Sequence, residues 1–382
     1  MIHIVLGTRS EVIKLSSLVR ELQARKIPFK IIHTGQHPTL HLMNLLGLPK
    51  PDYYLGKSFR EKWSHTNILV GAFLAILWLT KVWVQMFKIF RKEKPKIVIY
   101  NGNTWIVPIT GLAARIALWH DVIIVHRESG IRVTARTSFK DFWADLMYWV
   151  GEFFADELFA PAESSHTVLK TSNHTKNKKI ICTQNPQIEI IQQTVNAIEK
   201  NSELMKKYKI ANERYVLVNL VRSIDTPEKA KILVEIINTS PIKLVCCVNP
   251  MIKYRLTKWG FFENIKNEQA KMYDPLEYPF FVHLMANSEG VMTDSGGVIV
   301  EAVLLKKPCI VLQPTSQYPE FERKQVIRVT GVDRDKVLDA LTDISRKGDF
   351  YRISRECQLD LGDGKATKRM VDEIVQCLAE EK

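Results

Sequence analysis

Short apolar runs of strand length alternate with longer helical patterns along nearly the whole chain, and this alternation constrains the fold more than any other feature. IHIVLG precedes a helical pattern over 11–24, FKIIHTG one over 41–46, KIVIYNG one over 105–118, and DVIIVHRESG one over 139–154. DELFAPAE and KIICTQN close a first half, and YVLVNL, IKLVCCVN, EGVMTDSGG and PCIVLQ repeat the logic in a second. Apolar strands joined by helices are best satisfied in a parallel sheet covered on both faces. The expectation is an α/β chain of two Rossmann-like domains whose parallel sheets face a central cleft. The first spans 1–184 and the second 185–366; a final amphipathic helix over 367–382 is free to pack back on the first. With 382 residues, 46% of them hydrophobic, the chain is long enough for two cores.

In open α/β sheets ligands bind beyond the carboxyl ends of the strands, so the residues just after each apolar run carry the functional information. In VMTDSGGVIVEA, GVMT reads as a buried strand, DSGG as a tight turn and VIVEAVLL as a helix. Ser295, Gly296 and Gly297 then sit at a helix N-terminus, where backbone N–H groups and the helix dipole attract an anion and glycine lets a diphosphate approach. Glu301 lies far enough along that helix to reach the ribose of a nucleotide. A lone SGG would be read as an ordinary turn. Polar groups after the other strands shift that balance: Arg9 and Lys14 in GTRSEVIK, Gln36 and His37 in TGQH, Asn103 in YNGNT, Glu128 in HRESG and Asn249 in VNP.

The net charge is +13, from 54 Lys and Arg against 41 Asp and Glu, which favours a phosphate-bearing ligand or an anionic surface. The lysines are dispersed and accompany no nucleic-acid motif, so nucleic acid is not expected. Six cysteines show no zinc spacing, and the N-terminus begins directly as a strand without a signal-peptide pattern. No metal, no cofactor and a cytoplasmic location are expected. One segment complicates this: no charged residue occurs over 63–80, and the run continues into KVWVQMFKIFRKEKPK. It is short of about 20 uninterrupted apolar residues and reads as a greasy helix with a basic end. Such a helix over 68–96 fits a core position, with Trp78, Trp83, Phe87 and Phe90 inside, or a peripheral position at the inner face of an anionic membrane.

The blocks GTRSEVIK, TGQH, YNGNT, HRESGIR, ELFAPAE, YDPLEYPFFVHLM and TDSGGVIVEA, in this order over essentially the whole chain, resemble the UDP-N-acetylglucosamine 2-epimerase family. The resemblance implies a two-domain fold of the glycosyltransferase-B type, a UDP-sugar as substrate, and C2 epimerisation by elimination and re-addition of UDP; a homodimer is left open. It further implies that Ser295, Gly296, Gly297 and Glu301 hold the UDP and that Arg9 and Lys14 complement its charge or the sugar's. Tyr278 and Phe281 resemble the segment lining the uracil pocket. Gln36, Asn103, Arg222 and Asn249 complete the expected binding set.

The departures from the family pattern fall on the acid/base groups. The family's GDT is GNT here, putting the amide Asn103 where a carboxylate is expected. Its HRxEN block aligns with VRSID, so that Val221 and Ile224 replace a histidine and a glutamate while Arg222 remains. A PEE segment is replaced within TSFKDFWAD, leaving Asp141 or Asp145 as the carboxylate, and TERPE becomes SQYPE over 316–320. Three readings follow: an epimerase with a rebuilt set of Glu128, His37 and Asp141; a membrane-surface glycosyltransferase using a UDP-sugar; or a UDP-sugar-binding protein without turnover.

Overall fold

A computed structural model describes residues 1–56, 68–132, 139–199, 213–266, 268, 270–316, 318–359 and 362–380, with only the backbone described at 68, 69, 72, 139–141, 197–199 and 380. The first part of the uncharged run, 63–67, therefore lies outside the described residues, as do Gln317 of SQYPE and the side chain of Asp141. The chain forms two compact units: Met1–Ile190 joined by Leu361–Lys382, and Ile191–Asp360.

Unit 1 is built on a parallel sheet of β1 (Ile2–Leu6), β2 (Phe29–His33), β3 (Tyr53–Tyr54), β4 (Ile97–Asn101), β5 (Ile123–Arg127), β6 (Glu157–Ala160) and β7 (Lys179–Cys182), in the order β3-β2-β1-β4-β5-β6-β7. Ile2 pairs with Phe29 on one side and with Ile97 on the other. Every residue of β1 and β4 is buried, as expected for strands covered on both faces. Its helices are α1 (Arg9–Ala24), α2 (Leu40–Leu45), α3 (Ile68–Glu93), α4 (Ile106–Leu118), α5 (Phe139–Phe154) and α6 (Glu163–Thr171). The next helix, α7 (Gln187–Glu199), begins in unit 1.

Unit 2 carries a parallel sheet of β8 (Tyr215–Leu220), β9 (Lys243–Val248), β10 (Ala270–Tyr273), β11 (Gly290–Thr293), β12 (Cys309–Val311) and β13 (Ile327–Val329), in the order β10-β9-β8-β11-β12-β13. Its helices are α8 (Pro227–Thr239), α9 (Pro250–Lys258), α10 (Tyr278–Asn287), α11 (Gly296–Leu304), α12 (Pro319–Arg323), α13 (Arg334–Arg346) and α14 (Asp349–Glu356). The last helix, α15 (Ala366–Glu380), returns to unit 1, where Asp372 pairs with Arg25 at the end of α1.

The first crossing between units lies within α7, between Ile190 and Ile191, later than the 184/185 boundary read from sequence. A buried carboxylate accounts for the shift: Glu189 accepts the backbone N–H of Thr367 at 3.0 Å, fixing the start of α7 to the returning helix. The short edge strands β3, β10 and β13 were not legible as apolar runs. In each sheet the strand order reverses once, between β1 and β4 and between β8 and β11. Such a reversal opens a crevice at the carboxyl ends of the flanking strands.

Candidate active site

At the unit 1 reversal, Thr8 ends the loop after β1 and caps α1. Its hydroxyl accepts the Glu11 N–H at 3.2 Å, while the Glu11 carboxylate accepts the N–H groups of Gly7 and Thr8 at 2.8 and 2.9 Å. This is a capping box, which satisfies two first-turn donors reciprocally. The other oxygen of Glu11 accepts the Thr104 hydroxyl at 2.6 Å, tying the loop after β1 to the loop after β4. Burial raises the Glu11 pKa. Gly7 has no room for a side chain, because a Cβ there would sit 1.9 Å from the Thr34 hydroxyl.

Glu128 follows β5 with a backbone φ of +58°, a left-handed conformation that costs a non-glycine residue about 1 kcal/mol or more. Its carboxylate accepts Lys14 Nζ at 2.8 Å and Asn101 Nδ2 at 2.9 Å. Burial alone would push this carboxyl up. The Lys14 ammonium, the nearby Arg127 and the Asn101 amide outweigh that and hold it below the ordinary glutamate value. Behind it, the carboxylate of Glu152 on α5 accepts the Gly130 N–H at 2.9 Å, both Arg132 Nη atoms at 2.8 and 2.6 Å, and faces His174 Nε2 at 2.9 Å. The turn carrying Glu128 is thus fastened to α5.

Several buried polar atoms at this edge of the sheet have no hydrogen-bond partner: Gln36 Oε1, Asn101 Oδ1, His126 Nδ1, and Nε and Nη2 of Arg127. Arg127 is fully buried, and burial draws its pKa down to about 10, leaving it cationic at neutral pH. Unsatisfied groups are rare in folded interiors, and a cluster of them beside a strained carboxylate marks a place where a polar ligand or ordered water completes the bonding.

At the unit 2 reversal, Asp294 follows β11 and its carboxylate accepts three consecutive backbone N–H groups from the loop after β8: Val221 at 2.7 Å, Arg222 at 2.6 Å and Ser223 at 2.6 Å. Gln313 donates to its backbone carbonyl. This arrangement aims the first turn of α11 outward. Ser295, its N-cap residue, makes no side-chain cap bond, and its own N–H donates to the Thr293 hydroxyl at 3.1 Å, so the first-turn amides that no side chain caps are those beginning at Gly296 and Gly297. Gly297 is exposed; a Cβ there would meet nothing within 4 Å, and its φ is not in the left-handed region. Neither packing nor backbone geometry requires glycine at that position.

The expected site residues separate into clear groups. Lys14 and Glu128 are joined directly, and Arg9 lies exposed in the first turn of α1, where a cation opposes the helix dipole. His37 and Gln36 are half-buried on the loop after β2, which the His37 N–H pins to the Gly7 carbonyl at 2.8 Å. Asn103 is half-buried next to Thr104. Tyr278 and Phe281 are buried on α10, and the Tyr278 hydroxyl donates to buried Glu301 at 2.9 Å. Asn249 is the N-cap of α9, accepting the Met251 N–H at 2.8 Å, a structural task that its sequence context did not reveal. Arg222 is exposed beside Val221, whereas Ile224 is fully buried in the unit 2 core. Of the two aspartates offered for the missing PEE segment, Asp145 is buried on α5, one helical face with Tyr148 and Glu152.

Glu11, Asp294, Arg127 and Glu152 were not singled out from sequence. The T-x-x-E spacing of Thr8 and Glu11 was a visible capping signal, and Asp294 stood inside the glycine block. Arg127 and Glu152 offered no comparable pattern.

A family model described as UDP-N-acetylglucosamine 2-epimerase matches residues 20–375. The chain is 29% identical over 383 residues to a UDP-N-acetylglucosamine 2-epimerase of Methanocaldococcus jannaschii, covering 97% of each. It is 26% identical to one of Bacillus subtilis, covering 97% of this chain and 94% of that one. The crystal structure of the Methanocaldococcus jannaschii UDP-GlcNAc 2-epimerase in complex with UDP-GlcNAc and UDP superposes with a TM-score of 0.81 at 28% identity, over 98% of this chain and 99% of that one.

Proposed function

The chain belongs to the UDP-N-acetylglucosamine 2-epimerase family, and we propose that it catalyses C2 epimerisation of a UDP-N-acetylhexosamine, unit 2 binding the uridine diphosphate and unit 1 moving the proton. A relative of the same fold binds UDP-GlcNAc and UDP. The comparisons give no support to sugar transfer. Reduced cysteines, six of them unpaired, suit a cytoplasmic enzyme.

Glu128 carries the reading. Removal of the weakly acidic C2 proton needs a base that is ionised at neutral pH and positioned by more than its own backbone. Glu128 has a depressed pKa, two side-chain partners and a strained backbone held from behind by Glu152. Breaking the C1–O bond transfers negative charge to the leaving UDP. In unit 2 the α11 turn of Ser295, Gly296 and Gly297 neutralises that charge through the first-turn amides of the two glycines; in unit 1 Arg9 offers an exposed cation to an anionic ligand. Tyr278 and Phe281 take the uracil, and Glu301 the ribose. Gln36 and Asn103 bind sugar substituents, and Arg222 stays near the diphosphate. Return of the proton to the opposite face, as UDP re-adds at C1, needs a second group, for which His37 and Asp141 are the candidates and buried Asp145 the alternative carboxylate.

The test is incubation with UDP-GlcNAc in heavy water. Deuterium at C2 of the recovered sugar, abolished in Glu128→Gln while UDP binding persists, is the expected result. UDP release only when an acceptor is present, with no deuterium at C2, would replace epimerisation by transfer.

A further inference from the structure

The outward face of α3 has a pattern that the UDP-sugar reading does not use. Its inner stripe of Val82, Met86 and Phe90 is fully buried in the unit 1 core, and Glu93 at its end is held by Lys30 and by the Tyr53 hydroxyl. The aromatics expected inside behave accordingly: Phe90 is buried, while Trp78, Trp83 and Phe87 are partly covered against that core. The opposite stripe is exposed. Phe73 and Ile76 are 61% and 62% accessible and Leu77 50%. Further along the same side the helix turns cationic, with Lys81, Lys88 and Lys92 exposed and without an ion pair among the described residues.

Although α3 is long and apolar enough to cross a bilayer, its buried inner stripe and its direct passage into β4, where Ile97 pairs with Ile2 and Ile123, keep it on the sheet. Spanning would require tearing that core apart. The basic end is interleaved with an aromatic: Arg91 donates to the Ala117 carbonyl of α4, and Trp119 just beyond α4 is 72% accessible. Exposed aliphatic and aromatic groups followed by lysines and a tryptophan match the acyl boundary and the anionic headgroup layer of a membrane surface. A second copy of the chain fits this stripe less well, because the only carboxylate on α3 is the already paired Glu93, so a self-complementary contact would bury its cations without counter-charge.

We propose that unit 1 docks on anionic lipid surfaces through the outward face of α3, the Phe73, Ile76 and Leu77 side chains entering the acyl boundary and Lys81, Lys88 and Lys92 meeting headgroups. This proposal stands independently of the reaction. The test is co-sedimentation of the full chain with vesicles of equal parts phosphatidylglycerol and phosphatidylcholine, against pure phosphatidylcholine. Binding to the anionic vesicles alone is expected. Each cation at such a surface contributes about fivefold in partitioning, so Lys88→Gln/Lys92→Gln should weaken binding roughly 25-fold. Phe73→Ser/Ile76→Ser/Leu77→Ser should abolish it, with the thermal midpoint of each variant verifying that it remains folded. No binding of wild type to anionic vesicles overturns the proposal. So does a wild-type dimer in ultracentrifugation that the serine variant dissociates while neither protein binds vesicles, since a second copy then covers the face.

Discussion

Both units place a buried carboxylate at the point where strand order reverses, and they use it in opposite ways. In unit 2, Asp294 spends its oxygens on three backbone N–H groups from the loop after β8. The result is a fastened turn whose N-cap serine makes no side-chain cap bond and whose Ser295 N–H is held by the Thr293 hydroxyl. In unit 1, Glu11 likewise ties two loops together, through Thr8 and Thr104, but the neighbouring Glu128 is kept charged by a lysine and an amide and is surrounded by unsatisfied polar atoms. One reversal presents a helix N-terminus without a side-chain cap, the other a carboxylate with a left-handed backbone beside buried polar atoms that lack hydrogen-bond partners. The lesson is that departures from the family pattern need not fall evenly. Within unit 2 itself the DSGG block of the resemblance is kept, while Ile224, where that resemblance expects a glutamate, is buried in the core.

The sharpest break between the two reversals is expected from Glu128→Gln. The substitution keeps the shape and removes the base, so C2 proton exchange should fall by about 10³-fold, while calorimetric UDP affinity stays within a few-fold of wild type. A comparable loss of both would merge the two roles and refute the division.

Asp294→Ala probes the other side. Hydrogen bonds to a charged group contribute about 1.5–3 kcal/mol each, so leaving three backbone donors unpartnered should cost at least about 3 kcal/mol in chemical denaturation, alongside loss of UDP binding. A variant of wild-type stability would mean that the loop after β8 does not depend on this carboxylate.

Replacing Lys14 by Met sharpens the comparison through pH. The Glu128 pKa is depressed because Lys14 and its neighbours outweigh burial. The ion pair therefore stabilises the folded state above the ordinary glutamate pKa, and its contribution is lost as pH falls through the depressed folded value. Without Lys14, burial acts against fewer opposing groups, and the acid limb of kcat/KM should move upward. An unmoved limb would detach Glu128 from the rate-controlling ionisation.

The strand and helix order was legible because buried parallel strands leave apolar runs that helices interrupt, and α5 falls at 139–154 as its pattern predicts. The candidate anion site was legible for a local reason: Asp294, Ser295, Gly296 and Gly297 are contiguous. What joins Glu11 to Thr104, Asp294 to Val221, or Glu152 to Gly130 is the meeting of loops far apart in the chain, and no spacing encodes it. Asn249 has a cap role that its place after a strand does not distinguish from a ligand-binding one, since a polar residue there serves either. The exposed face of α3 was half legible. Its greasiness and basic end were plain, yet only the packing shows that Phe73, Ile76 and Leu77 point outward rather than Trp83 and Phe90.

The smallest of the expected effects is also the most direct test of how the nucleotide is held. Gly297 has room for a methyl group and an ordinary helical φ, so alanine there should leave the thermal midpoint unchanged or raise it, by up to about 1 kcal/mol of helix stability. If the diphosphate lies against the first-turn amides, the same methyl group obstructs it, and titration with UDP should show affinity weakened about tenfold or more. Wild-type UDP affinity in a folded Gly297→Ala protein would contradict the account.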